Sequence, residues 1–102
     1  MSLIMHMLEE ERDRLEEYIA DRQAELRLFS KGSLHVKRLY NQNYLYLVFR
    51  EGKKVVWQYM GKDGPKIRKK IEAELKERKK IAALLKKAQS NLLEAKRAID
   101  RI

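Results

Sequence analysis

Residues 33–61 read SLHVKRLYNQNYLYLVFREGKKVVWQYMG and are rich in β-branched and aromatic side chains. Three runs of such residues, at 34–40, 43–50 and 53–60, are separated by Asn41-Gln42 and Glu51-Gly52, which are residue types that favour turns. The pattern predicts a three-stranded antiparallel meander over residues 33–60. Gly61 to Pro65 then ends the sheet, and Pro65 suits the first position of a helix because its missing N–H would have no partner there.

Long amphipathic segments flank the meander. Residues 3–29 contain no Gly or Pro, and their apolar residues recur at spacings of three, four and seven, which predicts a helix that Gly32 would close through a left-handed turn. Residues 65–102 contain no further Gly or Pro after Pro65 and repeat the helical spacing, with one interruption where Glu74 and Arg78 occupy seam positions. We therefore predict one α+β domain over residues 1–102, in which the two helices form an antiparallel hairpin or coiled coil.

The charge of the chain is unevenly distributed. The formal net charge is +9 over 102 residues, and 38% of the residues are charged. Residues 1–29 carry −4, residues 30–61 carry +5, and residues 62–102 carry +8. An acidic first helix facing a basic last helix supports the hairpin, and the excess of positive charge favours a polyanionic partner.

The last helix also predicts self-association. Leu75, Leu84 and Leu93 lie outside the main apolar seam and indicate a second buried surface, which a homo-oligomer would provide. The seam residues that we expect at the oligomer interface are Ile81, Leu85, Leu92 and Ile99.

No residue pattern predicts catalysis. The chain has no cysteine, no glycine-rich phosphate loop and no nucleophile elbow, and His6 and His35 stand far apart. We expect a non-enzymatic protein with no catalytic residues, no metal site, no cofactor and no small-molecule substrate. The lack of cysteine fits a reducing compartment, and no targeting or membrane-spanning segment is expected, so the predicted location is the cytoplasm.

The meander carries the main candidate site. With two-residue turns, alternation places an aliphatic set on one face and a mixed aromatic and cationic set on the other. The predicted nucleic-acid-binding residues of that second face are Lys37, Tyr44, Tyr46, Arg50, Lys53 and Trp57, and His35 and Tyr59 share it. Aromatic rings stack on bases and cations neutralise phosphates.

Two alternatives to this interpretation remain open. The same rings would be buried if they packed on the helices or on a second subunit. A three-residue Arg50-Glu51-Gly52 loop would instead move Trp57 and Tyr59 to the aliphatic face.

The last helix carries a second set of candidate cations. Lysines and arginines are dense between residues 66 and 87, beyond what the acidic first helix can neutralise. The predicted phosphate-binding residues there are Lys69, Lys70, Lys79 and Lys80. The alternative is a solvated helix face held by ordinary ion pairs.

The middle segment resembles a short sheet in prokaryotic mobile-element and uncharacterised proteins. The resemblance rests on Tyr44-Leu45-Tyr46, the Gly52-Lys53 turn and Tyr59-Met60-Gly61. In several transposase families such a segment precedes the catalytic domain, so the resemblance implies a nucleic-acid-associated role and no catalytic residue. The order helix, sheet, helix also resembles prefoldin subunits, which implies an oligomeric scaffold or a holder of unfolded clients. Three strands here, instead of a simple hairpin, depart from the prefoldin pattern.

Overall fold

A computed structural model describes residues 2–102. In chain order the elements are α1 (Leu3–Leu26), β1 (Ser33–Leu39), β2 (Gln42–Glu51), β3 (Lys54–Lys62) and α2 (Pro65–Arg101). The predicted α+β class and the predicted order of helix, antiparallel meander and long helix are confirmed.

The first helix is shorter at its end than predicted. The Ser2 side chain caps α1 by accepting a hydrogen bond from the Met5 N–H at 3.1 Å, which satisfies a backbone donor that the first turn leaves free. The helix ends at Leu26, not at residue 29, and its cap residue Arg27 keeps right-handed helical geometry. Gly32 therefore does not close the helix, and its φ of 110° serves the entry into β1 instead.

Both hairpin turns have two residues and lie one position from where the sequence placed them. The first is Tyr40-Asn41, whose φ values of 51° and 64° are both positive, as a type I′ hairpin turn requires. The second is Gly52-Lys53, with Gly52 at φ 62°. Moving a two-residue turn by one position changes each strand pairing by two residues, so the predicted faces of the sheet are preserved.

A β-bulge alters the end of β3. The strands pair in the order β1-β2-β3, and the register between β2 and β3 shifts between Leu45 and Tyr46. Tyr46 pairs with Tyr59 and Leu45 with Gly61, so Met60 is the extra residue. The strand consequently continues to Lys62, beyond the predicted end at residue 60.

Contacts group the described residues into two compact units. The sheet unit is Phe29–Lys79, and the hairpin unit comprises the described residues up to Leu28 together with Lys80–Ile102. The single domain expected over residues 1–102 stays a prediction.

One face of the sheet forms the core of the sheet unit. Leu45 and Leu47 are completely buried there with Ile71 of α2. The helix residues that contact this core recur every four positions and therefore lie on one side of α2. Half-buried side chains complete it, namely Leu34, Met60, Ile67 and Leu75. The first turns of α2 thus cover the aliphatic face that alternation predicted.

The hairpin unit packs α1 against the last turns of α2. Its buried core contains Leu15 and Ile19 from α1 together with Leu85, Ala88 and Ala95 from α2. The helices are antiparallel, because residues 8–11 of α1 border residues 91–98 of α2, whereas residues 14–18 border residues 84–91. An exposed ion pair joins Glu16 and Lys96 at 3.8 Å, and pairs of this kind contribute only about 0.2–1 kcal/mol. Apolar packing therefore holds the hairpin.

Candidate nucleic-acid interface

The sheet face opposite α2 gathers aromatic and cationic side chains, and we call it the aromatic face. Directly paired residues of an antiparallel sheet point to the same side, so the register assigns its members. His35 pairs with Tyr46, Tyr46 with Tyr59, and Val48 with Trp57. Its aromatic, cationic and central aliphatic members are His35, Lys37, Tyr44, Tyr46, Val48, Arg50, Val55, Trp57, Tyr59 and Lys62. Ser33, Leu39 and Gln42 lie on the same face toward its ends.

Five rings on this face form one connected cluster. Trp57 lies 5.4 Å from His35 and 6.0 Å from Tyr46, measured between ring centroids. Tyr59 lies 5.6 Å from Tyr46 and 6.1 Å from Tyr44. The interplanar angles are between 51° and 69°: Tyr46 meets Trp57 and Tyr59 edge to face, and the other two contacts are tilted. No pair is stacked face to face, so the rings keep part of their π-faces open.

The cluster is accessible to solvent. Trp57 is 49% exposed and Tyr59 is 56% exposed. Neither ring is therefore buried in a core. Tyr44 and Tyr46 are half-buried because they lie on the central strand between the other rings. Within the sheet unit, the rings therefore do not pack on α2, whose first turns cover the opposite face of the sheet.

Cations lie beside and over the rings. The Lys37 Nζ lies 5.3 Å from the Trp57 ring centroid and 5.8 Å from that of Tyr46, which is within cation–π range. Arg50 and Lys62 are exposed on the same face. The only carboxylate in the three strands is Glu51, which pairs with Lys54 and alternates to the other side of the sheet. The aromatic face is thus uniformly positive.

The predicted sheet residues are brought together with one exception. Lys37, Tyr44, Tyr46, Arg50 and Trp57 all lie on the aromatic face. Lys53 does not, because it occupies the second position of the β2–β3 turn and has no strand partner. The alternative three-residue loop at Arg50-Glu51-Gly52 is wrong, so Trp57 and Tyr59 stay with the other rings.

Sequence reasoning missed Lys62. The residue pairs with Tyr44 on the aromatic face only because the bulge at Met60 shifts the last part of β3. Simple alternation from Trp57 and Tyr59 continues to Gly61, not to Lys62, so no period-two pattern would have found it. The local signal was Met60-Gly61 at the end of a strand, since a glycine near a strand end often marks a bulge.

The helix lysines of the sheet unit do not form one surface with the aromatic face. Lys69, Lys70 and Lys79 are exposed on α2, but Lys70 and Lys79 are nine residues apart and so point about 180° from each other at 3.6 residues per turn. Lys69 and the exposed Lys76 lie roughly 160° and 140° around the helix from Ile71, which packs on the sheet. These two lysines therefore face away from the sheet. Lys80 is exposed in the hairpin unit.

The predicted oligomer residues already have neighbours within one chain. Ile81 is 3% exposed, and Leu85 is buried against α1. Leu92 packs partly against the same core, and Ile99 is half-buried. The apolar surface left open on α2 is instead at Leu84 and Leu93, on positions that the sequence also singled out.

Two titratable groups outside the aromatic face, Asp63 and His6, each have a partner close along the chain. The Arg68 guanidinium donates hydrogen bonds to both carboxylate oxygens of Asp63, at 3.1 Å and 2.5 Å, and these lower the pKa of Asp63. His6 pairs with Glu10 along α1 at 3.0 Å.

Within residues 2–102, no group of three or more His, Asp or Glu side chains is arranged to hold a metal ion. No helix in the same residues combines the length and apolar character needed to cross a membrane.

Comparison with known proteins gives one match. A family model described as a domain of unknown function, DUF6788, matches residues 5–69. The chain belongs to this family. No curated protein and no solved structure matches the chain. The DUF6788 region contains all three strands and ends in the first turns of α2, so the whole aromatic face lies inside it, while Lys70, Lys79 and Lys80 lie beyond it.

Proposed function

We propose that this DUF6788 protein is a non-enzymatic nucleic-acid-binding protein that uses the aromatic face of its sheet. The observation that carries the proposal is the exposed cluster of five touching rings beside Lys37, Arg50 and Lys62, on a face without a carboxylate. The buried core of the sheet unit lies on the opposite face, at Leu45, Leu47 and Ile71, and includes none of these rings. A ligand that combines flat π-systems with negative charge complements both of its features.

The chemistry divides between the rings and the cations. Exposed aromatic side chains stack on bases with a gain of about 1–3 kcal/mol per base. Lys37, Arg50 and Lys62 would neutralise phosphates and release counterions, which makes the affinity depend on salt. Neither feature reads a base edge, so we expect weak sequence preference. The resemblance to the segment that precedes transposase catalytic domains supports the same role.

The helix lysines are assigned a secondary part in this proposal. Lys69, Lys70, Lys79 and Lys80 raise the positive charge of the chain and attract a polyanion at long range. Because Lys69 faces away from the sheet, it does not share a short ligand with the rings. The aromatic face is therefore the contact surface, in a protein that we place in the cytoplasm.

The test compares two double variants that change the charge equally. Lys37→Glu with Lys62→Glu alters the aromatic face, and Lys69→Glu with Lys76→Glu alters the opposite side of the sheet unit. Binding of single- and double-stranded DNA and RNA is followed by Trp57 fluorescence at about 50 mM and 200 mM salt, a range over which phosphate contacts weaken strongly.

The first variant should weaken binding and lower the salt slope by about 1.4 for a single strand, because two phosphate contacts are lost. The second should change affinity much less and leave the slope unchanged. No binding of any nucleic acid by the parent protein at low salt would refute the proposal, and equal effects of the two variants would remove the aromatic face from it.

A second candidate function is an oligomeric scaffold or prefoldin-like holder. It is favoured by apolar side chains that the hairpin unit leaves open: Ile4 is 65% exposed, Met7 59%, Leu84 49% and Leu93 50%. Burial of such residues between copies would stabilise a homo-oligomer. Replacing Leu84 and Leu93 by Glu should then dissociate the oligomer in sedimentation experiments without loss of helicity. A parent protein that sediments as a monomer at all concentrations would exclude this candidate.

A further inference from the structure

We propose that the ligand of the aromatic face is a single-stranded nucleic acid bound with its bases unstacked from one another. This inference rests on the proposed nucleic-acid function and names the form of the ligand. It follows from the spacing of the rings, the width of the sheet and the distribution of cations along it.

The spacing of the rings does not match stacked bases. Neighbouring ring centroids in the cluster are 5.4–6.1 Å apart, whereas successive bases of a duplex strand rise by about 3.4 Å. Two adjacent bases stacked on each other therefore cannot each lie on a separate ring. A nucleic-acid strand whose bases are splayed apart can place one base on Trp57, one on Tyr46, and a third on either Tyr44 or Tyr59.

The sheet is also the wrong shape for a duplex. The major groove of DNA admits an α-helix or a two-stranded ribbon, but the aromatic face extends over three strands, with its largest rings on the central and third strands. In a duplex the base faces are covered by their neighbours, so Trp57 and Tyr59 would meet only base edges, sugars and phosphates. Half-exposed rings of this size gain most from bare base faces.

Cations bracket the rings along the strands. Lys37 and Lys62 flank Tyr44 at one end, and Arg50 lies six residues further along β2. Six strand residues span about 20 Å, which at the ring spacing of 5.4–6.1 Å corresponds to about three bases between two phosphate contacts. The geometry thus describes a short footprint, near the lower end of the roughly 4–16 nucleotides that single-strand-binding folds cover.

A second copy of the chain fits this face poorly. A two-fold interface brings the same surface of both copies together. The cations Lys37, Arg50 and Lys62 of each copy would then face the equally positive surface of the other, and the aromatic face offers no carboxylate to pair with them. Like charges at an interface oppose association, so a polyanion is the better complement.

The experiment uses the full chain and four ligands of about 12 nucleotides: single-stranded DNA, single-stranded RNA, the matched DNA duplex and an abasic DNA strand. We expect the single strands to bind more tightly than the duplex, although the duplex carries twice as many phosphates. The abasic strand keeps the charge but has no bases, and each lost stacking contact should weaken binding by roughly 5- to 150-fold. The DNA and RNA arms identify which of the two the face prefers.

Variants locate the stacking. Trp57→Ala should lower single-strand affinity by roughly 5- to 150-fold and leave duplex affinity unchanged, while Trp57→Phe should keep most of the affinity because a ring remains. Tyr40→Ala is the matched control, since Tyr40 is a fully exposed aromatic residue in the β1–β2 turn, away from the ring cluster. Binding to the Trp57 variants is followed by anisotropy of a labelled oligonucleotide.

The outcomes separate this inference from the proposed function. If the duplex or the abasic strand binds as tightly as the single strand, the inference is overturned, while weakening by Lys37→Glu with Lys62→Glu still supports nucleic-acid binding. If no ligand binds, both fail. The comparison of ligands needs only the parent protein, so poor folding of a variant does not leave the inference undecided.

Discussion

Replacing Gly32 by alanine should destabilise the protein far more than the same replacement at Gly52. Both glycines have positive φ values, 110° at Gly32 and 62° at Gly52, and both variants introduce the same residue, alanine. Their surroundings differ, because a Cβ at Gly32 would lie 2.5 Å from the Val48 carbonyl oxygen and 3.0 Å from its carbon, whereas a Cβ at Gly52 meets nothing within 4 Å. The pair therefore isolates the cost of the close backbone approach.

The magnitude follows from the two environments. At Gly52 an alanine in the left-handed conformation destabilises the folded state by about 1–2 kcal/mol. Alanine also restricts the unfolded chain more than glycine does, which stabilises the folded state by about 0.4–1 kcal/mol. The net destabilisation is therefore about 1 kcal/mol. At Gly32 strained φ adds about 1–3 kcal/mol, and the overlap with the Val48 carbonyl adds about 1–3 kcal/mol because backbone must move. A total of about 3 kcal/mol leaves a difference of about 2 kcal/mol between the variants.

Urea denaturation followed by far-UV circular dichroism measures the two free energies of unfolding. A difference of about 2 kcal/mol corresponds to roughly 8–16 °C in melting temperature for a chain of this size. Gly52→Ala is the matched control, since it changes the same atoms at a position with open space. Losses of stability that agree within about 0.5 kcal/mol, or a larger loss at Gly52, would contradict the close approach of residue 32 to β2.

Two further predictions concern the aliphatic face of the sheet and its junction with α2. Leu47→Ala should cost about 2–5 kcal/mol of stability because Leu47 is completely buried. Val55 lies on the aromatic face and is 56% exposed, so Val55→Ala should cost less than about 1 kcal/mol. Urea midpoints of both variants check the contrast, and equal shifts would contradict the assignment of faces. Hydrogen bonds from Arg68 lower the pKa of Asp63, and desolvation is a smaller opposing cause. The pair therefore stabilises the fold fully above about pH 5. This contribution is lost as the pH falls from the ordinary aspartate pKa of about 3.9 through the lowered pKa of Asp63. The urea midpoint of Asp63→Asn should therefore lie below that of the parent at pH 7 and converge with it toward pH 2, and a gap that does not change with pH would refute the assignment.

Periodicity was sufficient to predict the faces of the sheet but not its register. The runs of alternating residues placed Leu45 and Leu47 together and Tyr44 and Tyr46 opposite them, and both turns nevertheless lie one residue away from their predicted positions. The faces survive because a shifted two-residue turn changes the pairing by two, which is the period of the strand. Turn propensity alone could not select Tyr40-Asn41 over Asn41-Gln42, since Asn suits both.

The features that the sequence did not predict depend on contacts distant along the chain. The bulge at Met60, and with it the position of Lys62, arises from the pairing of β3 with β2 and has no fixed local pattern. The sequence grouped the helix lysines because they are dense along α2, but this density does not show which side of the helix each lysine occupies. The packing of Ile71 on the sheet determines which lysines face away from the sheet. Local composition therefore identified the residue types of the candidate site, and long-range packing decided which of them lie together.

The two faces of the sheet differ in how deeply their side chains are buried. Leu45 and Leu47 on one face are fully buried with α2, whereas Trp57 and Tyr59 on the other are about half exposed. A strand residue contacts only one face, so substitutions of the rings should leave the core intact. Large exposed aromatic residues promote aggregation unless charge surrounds them, and Lys37, Arg50 and Lys62 supply that charge. In the proposed complex the same cations would contact the phosphate backbone, so the proposal accounts for rings and cations on a single face.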